Sequence, residues 1–325
     1  MSKRTRTLLL VAALLLAVFA LSGCGTSTES FDPSQPPSTG IWAMIVWGIA
    51  WVLYELNMIL ASVGIRYSWG WAIIVFTVFI KLVTLPLTRQ QLKSTKATQE
   101  LQPKLKELQQ KYGKDRQKLS EEQMKLYKEA GVNPMGGCLP MLVQLPILWG
   151  LYQALYELAR PGPYSLQGAR FYWIPDLAFP SLAVGTKWIG ESFAARDWAT
   201  LAAYFSLPII MLASQMVLQR MTQPAKAQKG AGTDSQSQMM GQMMMFMPIM
   251  FGYITLGLPS GLTLYWTVSN ILSLVQQYFV TGWGGLVDWI PALKPKPAEV
   301  VMAPDPSFMV EAGPEKPVKR RRRRR

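Results

Sequence analysis

Histidine is missing from all 325 residues. Its absence removes the commonest general base and the commonest metal ligand. Cysteine occurs only at Cys24 and Cys138, too few for a thiolate metal site. Acidic residues are scarce as well: 19 against 33 Lys and Arg, for a formal charge of +14. No serine stands at helical spacing from a histidine or lysine base, so intramembrane protease chemistry has no candidate centre. No internal repeat relates the two halves, as the inverted repeats of many small-solute transporters would.

What is present is apolar. Half of the residues are hydrophobic, and the mean hydropathy is only +0.15 because long charged loops dilute the apolar segments. Six segments, 41–63, 70–87, 139–159, 201–218, 242–258 and 261–280, approach the roughly 20 apolar residues that cross a hydrocarbon core. The sequence therefore predicts an all-α polytopic membrane protein.

The amino terminus reads as a targeting segment. "MSKRTRT" is a basic n-region, "LLLVAALLLAVFA" an apolar h-region, and "LSGC" ends at Cys24 in the pattern that bacterial lipoprotein processing uses. Cys24 then becomes the acylated first residue on the outer face. "GTSTESFDPSQPPSTG" behind it is a polar, proline-rich tether that buries no core.

Charge sets the topology. Eleven Lys and Arg lie between Arg89 and Lys128, and ten from Lys294 to Arg325. If all six segments crossed, the first cluster would face outward, against the positive-inside bias. Removing 41–63 from the spans repairs every loop. That segment carries Trp42, Trp47, Trp51 and Tyr54, and a full crossing would sink Glu55 near the bilayer centre. It reads as an interfacial helix on the outer face. Five transmembrane helices remain, amino terminus outside and carboxyl terminus cytoplasmic. The expected organisation is a signal peptide over 1–23, a lipidated tether over 24–40 and the interfacial helix over 41–65. A first span follows over 66–88, a cytoplasmic helical hairpin over 89–137, four further spans over 138–280 and a basic tail over 281–325.

In the hairpin, Leu101, Leu105, Leu108 and Tyr112 make one apolar stripe on a charged helix. Gly113 breaks it, and "SEEQ" at 120–123 has capping-box spacing for a second helix, stopped by Gly131 and Pro134. Pro103 marks a first turn or a kink.

One residue departs from this pattern. Lys81 stands inside "TVFIKLVTLPLT", and a cation at the centre of a membrane helix costs roughly 2.5–3.5 kcal/mol. It lies eight residues, about 12 Å of helix rise, from Arg89, too deep to snorkel out. Thr77, Lys81, Thr84 and Thr88 share a helix face, and Trp266, Asn270, Ser273 and Gln277 repeat the arrangement on the last span. Gln144 and Gln215 add amides on two others. No acidic residue lies within the expected spans below the outer interface to pair with Lys81. Water in a recess open to the cytoplasm is the expected stabiliser, although threonines and amides also serve simply to join helices.

These residues resemble a known family. "WGWAIIVFTVFIKLVTLPLT", "LQPKLKELQQKYG", "VNPMGGCLPMLVQLPILWGLYQAL", "FYWIPDL" and "LPSGLTLYWTVSNILSLVQQ" look like successive signatures of the YidC/Oxa/Alb membrane protein insertases. The form is the short bacterial one with a lipoprotein signal. The resemblance implies no cofactor, no metal and no catalytic residue. It implies five transmembrane helices around a hydrophilic groove open to the cytoplasm, with nascent membrane proteins as substrates. The groove cation falls on Lys81, with Thr77 and Thr84 on its face, the groove amide on Gln144, and the aromatic of the last span on Tyr265 or Trp266, near Asn270. The family usually has arginine where this chain has Lys81. Lysine gives up its proton more readily than arginine when desolvated, so the departure demands a wetter groove. A small-solute or ion transporter using the same recess is the alternative.

Two further features admit two readings each. Met239, Met240, Met243, Met244, Met245, Met247 and Met250 crowd one stretch, either as an adaptable substrate surface or as ordinary helix filler. Lys319 and Arg320, Arg321, Arg322, Arg323, Arg324 and Arg325 end the chain in a run that suits ribosomal RNA or anionic lipid. The ribosome and the Sec translocase are the candidate partners. Cys138 in "GGC" reads as a small packing residue.

Overall fold

Apolar runs of this length can satisfy their backbone only by coiling, and helices dominate. The structure, a computed structural model, describes residues 31–37, 40–113, 115–132, 139–181, 183–223, 246–290 and 293. Among them no strand forms, and one isolated bridge pairs Phe171 with Ile174. Cys24, Cys138, the methionines from Met239 to Met245, and Lys319 to Arg325 lie outside the described residues. So does the side chain of Gln144.

Helix α1 covers Ile41–Ser62 and buries Val46, Ala50, Leu53 and Asn57 at i, i+4, i+7 and i+11. Helix α2, Ser68–Val83, lies against that stripe, and Ser68 donates to the Asn57 side chain at 2.7 Å. On another side α1 meets α6, Leu139–Ala159, where Gly150 lets Ile49 and Trp42 approach. The Trp42 indole donates to Gln153 there.

The chain then departs from a straight first span. Helix α3, Leu85–Glu100, is bent 63° from α2 at Thr84. Pro86 is the physical cause: it has no N–H to offer the Leu82 carbonyl. The expected span over 66–88 is thus two helices, and Lys81 sits in the last turn of α2 rather than mid-helix. The helix dipole favours a cation at that end. Residues 89–100 also leave the expected hairpin, because α3 packs on α6 and on α10, Ser260–Thr281.

The hairpin proper is α4, Gln102–Tyr112, against α5, Arg116–Glu129. Pro103 takes a first-turn position in α4, where its missing N–H is harmless. Helix α5 starts four residues before "SEEQ", because Asp115 accepts from the Lys118 amide and caps it. A cleft of about 340 Å³ between the two helices is lined by Lys104, Lys111 and Lys125 and by Glu107, Glu122 and Glu129.

The connection that carries Phe171, Leu177 and Phe179 packs with helix α7, Lys187–Ala194, and the first turns of α8, Trp198–Met221, as a layer at one end: Phe179 meets the Trp188 and Tyr204 rings. The carbonyls of that layer reach the top of α10: Leu177 accepts from Gly261 and Phe179 from Ser260. These are amides that a helix start leaves without internal partners. The Trp188 indole donates to the Leu256 carbonyl, just beyond α9, Phe246–Thr255. Helices α2, α8 and α10 therefore all start at this end and run the same way.

By length and composition α1 and α8 can each cross a membrane, and the bent pair α2–α3 makes a third candidate among the described residues. Helix α1 is the segment that the charge pattern places on the outer interface, so its composition suits crossing as well.

Gly70 fixes how closely the end layer sits on α2. A Cβ there would come within 1.9 Å of the Phe171 ring. Gly70→Val should lower the thermal midpoint in detergent by the equivalent of about 1–3 kcal/mol, the usual scale of overpacking. An unchanged midpoint would show that the layer is free to move off α2.

Candidate functional site

Helix α10 carries the polar residues of the core. Facing α2, Ser273 accepts a hydrogen bond from Lys81 Nζ at 2.7 Å and donates its own proton to the Ser269 carbonyl at 2.8 Å. Facing α8, Asn270 reaches the Ser214 hydroxyl at 3.4 Å and the Met211 carbonyl at 3.5 Å, both long contacts. Gln277, fully buried, donates to Thr281 at 2.7 Å.

Lys81 is half-buried and points across the α2–α10 seam, so it faces protein as the stripe required. Its partner among the described residues is a neutral hydroxyl; the two ion pairs found there are Arg160–Glu157 and Arg220–Asp288. Thr77 is 0% exposed and donates to the Ile73 carbonyl. Thr84, at the bend, donates to the Ile80 carbonyl at 2.8 Å. Tyr265 is buried in the core, while Trp266 is part-buried with its ring edge-on to Phe251 at 5.8 Å. Lys81 and Ser273 thus meet across one seam and Asn270 and Ser214 across the other. Thr77 and Thr84 turn their hydroxyls onto their own helix.

Ser273 and Asn270 were both legible from spacing. Ser214 was not: the sequence pointed to its neighbour Gln215, and only helix rotation decides between them. Among the described residues no cluster of three or more metal-ligating side chains forms.

A family profile described as "60Kd inner membrane protein" matches residues 59–284. The chain belongs to this family, that of the YidC/Oxa/Alb proteins. It is 37% identical over 268 residues to "Inner membrane protein PPF-1, chloroplastic" of Pisum sativum, covering 80% of this chain and 59% of that protein. It is 38% identical over 270 residues to "Inner membrane protein ALBINO3, chloroplastic" of Arabidopsis thaliana, covering 80% and 56%. To "Membrane protein insertase YidC" of Geobacter sp. (strain M21) it is 37% identical over 231 residues, covering 70% and 36%. The matched region therefore spans about a third to three-fifths of these relatives.

The family match ends at residue 284, where a second polar feature begins that the sequence did not announce. Arg220, in the last turn of α8, has a side chain 6% exposed. It reaches Asp288 at 3.4 Å and Gln223 at 2.6 Å, with the Trp289 ring 5.3 Å from its guanidinium. Asp288 ends a 3-10 turn, Gly284–Asp288, that folds back onto α8. The approach is close. Gly284 adopts φ +50°, and a Cβ on it would come within 2.0 Å of the Met221 carbonyl. The turn Gly284–Asp288 is therefore docked on α8, with Gly285 and Leu286 buried, where a free tail is expected over 281–325.

Breaking the pair should hurt more than an exposed ion pair would, since the arginine is buried. Asp288→Ala should lower the thermal midpoint in detergent, with a loss of about 1–3 kcal/mol for the bond left unmade. A midpoint equal to that of the unmodified chain would mean the turn contributes nothing to holding α8.

Proposed function

We propose that this chain is a membrane protein insertase acting without a cofactor. The observation that carries the proposal is Lys81: a cation in an apolar helix, half-buried, answered across the seam by a hydroxyl rather than a carboxylate. A lysine with a fixed carboxylate partner would serve structure alone. This one keeps its charge available to a passing chain.

Five spans enclose a hydrophilic groove that opens to the cytoplasm. A nascent span enters from that side, and Lys81 holds its polar or acidic leading part. The family resemblance adds Thr77, Thr84, Gln144, Tyr265, Trp266 and Asn270 to the groove, of which Thr77 and Thr84 bond their own helix and Asn270 faces α8. The apolar remainder then moves sideways into lipid, driven by burial at roughly 25 cal/mol per Å². Family membership and the relatives named as insertases support this reading. The α4–α5 hairpin receives the substrate, and the arginine-rich tail holds a ribosome or anionic lipid close. The Sec translocase is a further partner.

The proposed topology has the amino terminus outside, anchored by a lipid on Cys24, and the carboxyl terminus in the cytoplasm. Helix α1 then lies in the outer interface. Support comes from the segment before it: Phe31 packs on the Tyr54 ring, and the Trp47 indole donates to the Asp32 carbonyl at 3.0 Å. These contacts hold Asp32 beside the middle of α1. The Ser34 hydroxyl and amide keep its carboxyl below the usual carboxylate range, so the group stays charged. An exposed carboxylate at mid-helix suits water and not hydrocarbon.

Cysteines placed by Ile41→Cys and Ser62→Cys, in chains lacking the native Cys138, should both react with an impermeant reagent from the outer side only. Labelling from opposite sides would make α1 a span and invert every later loop. Supplied to a depleted strain, Lys81→Ala should reduce insertion of small membrane proteins by roughly tenfold, about 1.4 kcal/mol, while Lys81→Arg retains it. Equal insertion by Lys81→Ala for every substrate would remove the charge from the mechanism.

A further inference from the structure

We propose that Ser273 is a positioning residue for Lys81, holding the ammonium at the α2–α10 seam where an incoming segment can reach it. The proposal rests on the insertase reading and assigns a role that the groove alone does not give.

Lysine is a poor fixed charge. Its ammonium ends a flexible four-carbon stem, strongly hydrated and able to extend toward water. In the last turn of α2, three residues before the bend, its stem is free to swing toward the α3 end. The surrounding faces offer no reason to stay: Leu82 and Val83 are 62% and 59% exposed, on the lipid side. What the structure shows instead is the stem laid across to α10, with Nζ on Ser273 at 2.7 Å.

The serine is oriented for that task. A hydroxyl has one proton and two lone pairs. Its proton is committed to the Ser269 carbonyl one turn back, which leaves only acceptor capacity toward α2. It can therefore hold a cation but cannot neutralise it. An ammonium carries three donors, and Ser273 takes one. Among the described residues nothing else takes the other two, which leaves them for a polar group on the substrate. A carboxylate at position 273 would hold Lys81 more tightly and cancel the charge. An alanine would release it to the interface.

Helix register makes the placement possible. Gly261, whose Cβ would lie 3.3 Å from Ile73, brings α10 against α2 near their common start. From there the two helices run together to Lys81 and Ser273.

The test compares Lys81→Ala, Ser273→Ala, Ser273→Thr and the double alanine variant in the depleted strain, with a substrate that has an acidic leading segment. Chemical labelling of the Lys81 amine in inverted membrane vesicles is read in parallel by mass spectrometry. Ser273→Ala should insert roughly tenfold less well, the scale of one lost charge-assisted hydrogen bond. It should also label several-fold more at Lys81 than the unmodified chain does. The double variant should be no worse than Lys81→Ala, because the serine acts only through the lysine. Ser273→Thr keeps a hydroxyl that can bond the same carbonyl and should restore both readouts.

A defect in Lys81→Ala with normal insertion and labelling in Ser273→Ala would overturn the positioning role while leaving the insertase reading standing. A double variant clearly worse than Lys81→Ala would also overturn it, since the serine would then act by packing. Normal insertion by Lys81→Ala would take down the groove cation and this role together.

Discussion

A polar group inside hydrocarbon must find its partner within the protein or in trapped water, and α10 is built around that demand. Its serine, asparagine and glutamine face helices rather than lipid. Ser273 meets Lys81 on α2, Asn270 meets Ser214 on α8, and Gln277 turns to Thr281 in its own last turn. The outward side of the same helix is different: Ile271, Val275 and Phe279 are exposed and apolar. Polar and greasy faces thus belong to one element.

The bend at Thr84 follows from the same demand. Were α2 and α3 one straight helix, Lys81 would lie two turns inside the span with lipid along most of its surroundings. Pro86 ends the ladder early and sends α3 off at 63°, against α6 and α10. The lysine is thereby placed at a helix end while still facing the seam. Among the described residues this half-buried cation meets a hydroxyl and no carboxylate. Arg220 illustrates the other solution: it is sealed at the end of α8 and meets Asp288, Gln223 and the Trp289 ring. The two cations thus sit in two environments, one against a hydroxyl and one against a carboxylate.

Much of this was legible in the sequence because helical spacing is a local property. Lys81 stood out by chemistry, and Trp266, Asn270, Ser273 and Gln277 stood out as a matching stripe on the last span, but their meeting across one seam came from the fold. Gly113 at a helix end was read from propensity alone, and the structure takes the first turn over the kink for Pro103. The misses share a cause. The 63° bend needed the choice between a kink and a tolerated proline, which tertiary packing makes. Asp115 displaced "SEEQ" as the start of α5 because a single capping carboxylate wins over a box pattern inside an already formed helix. Arg220 and Asp288 stand 68 residues apart and share no periodicity. Only the fold brings them together.

The direction of the helices explains why one serine can matter so much. Helices α2, α8 and α10 run the same way, from the end layer capped by Leu177 and Phe179 toward the end that carries α3 and Arg220. Parallel neighbours separated by long stretches of chain are not held in register by a short turn. Their relative depth is set by contacts along the seam: Gly261 on Ile73 near the top, Ser273 on Lys81 lower down, and Arg220 on Asp288 at the far end. Helix α6, by contrast, packs chiefly on α1 and only lightly on α10. Among the described residues the polar seam is therefore walled by α2, α10 and α8.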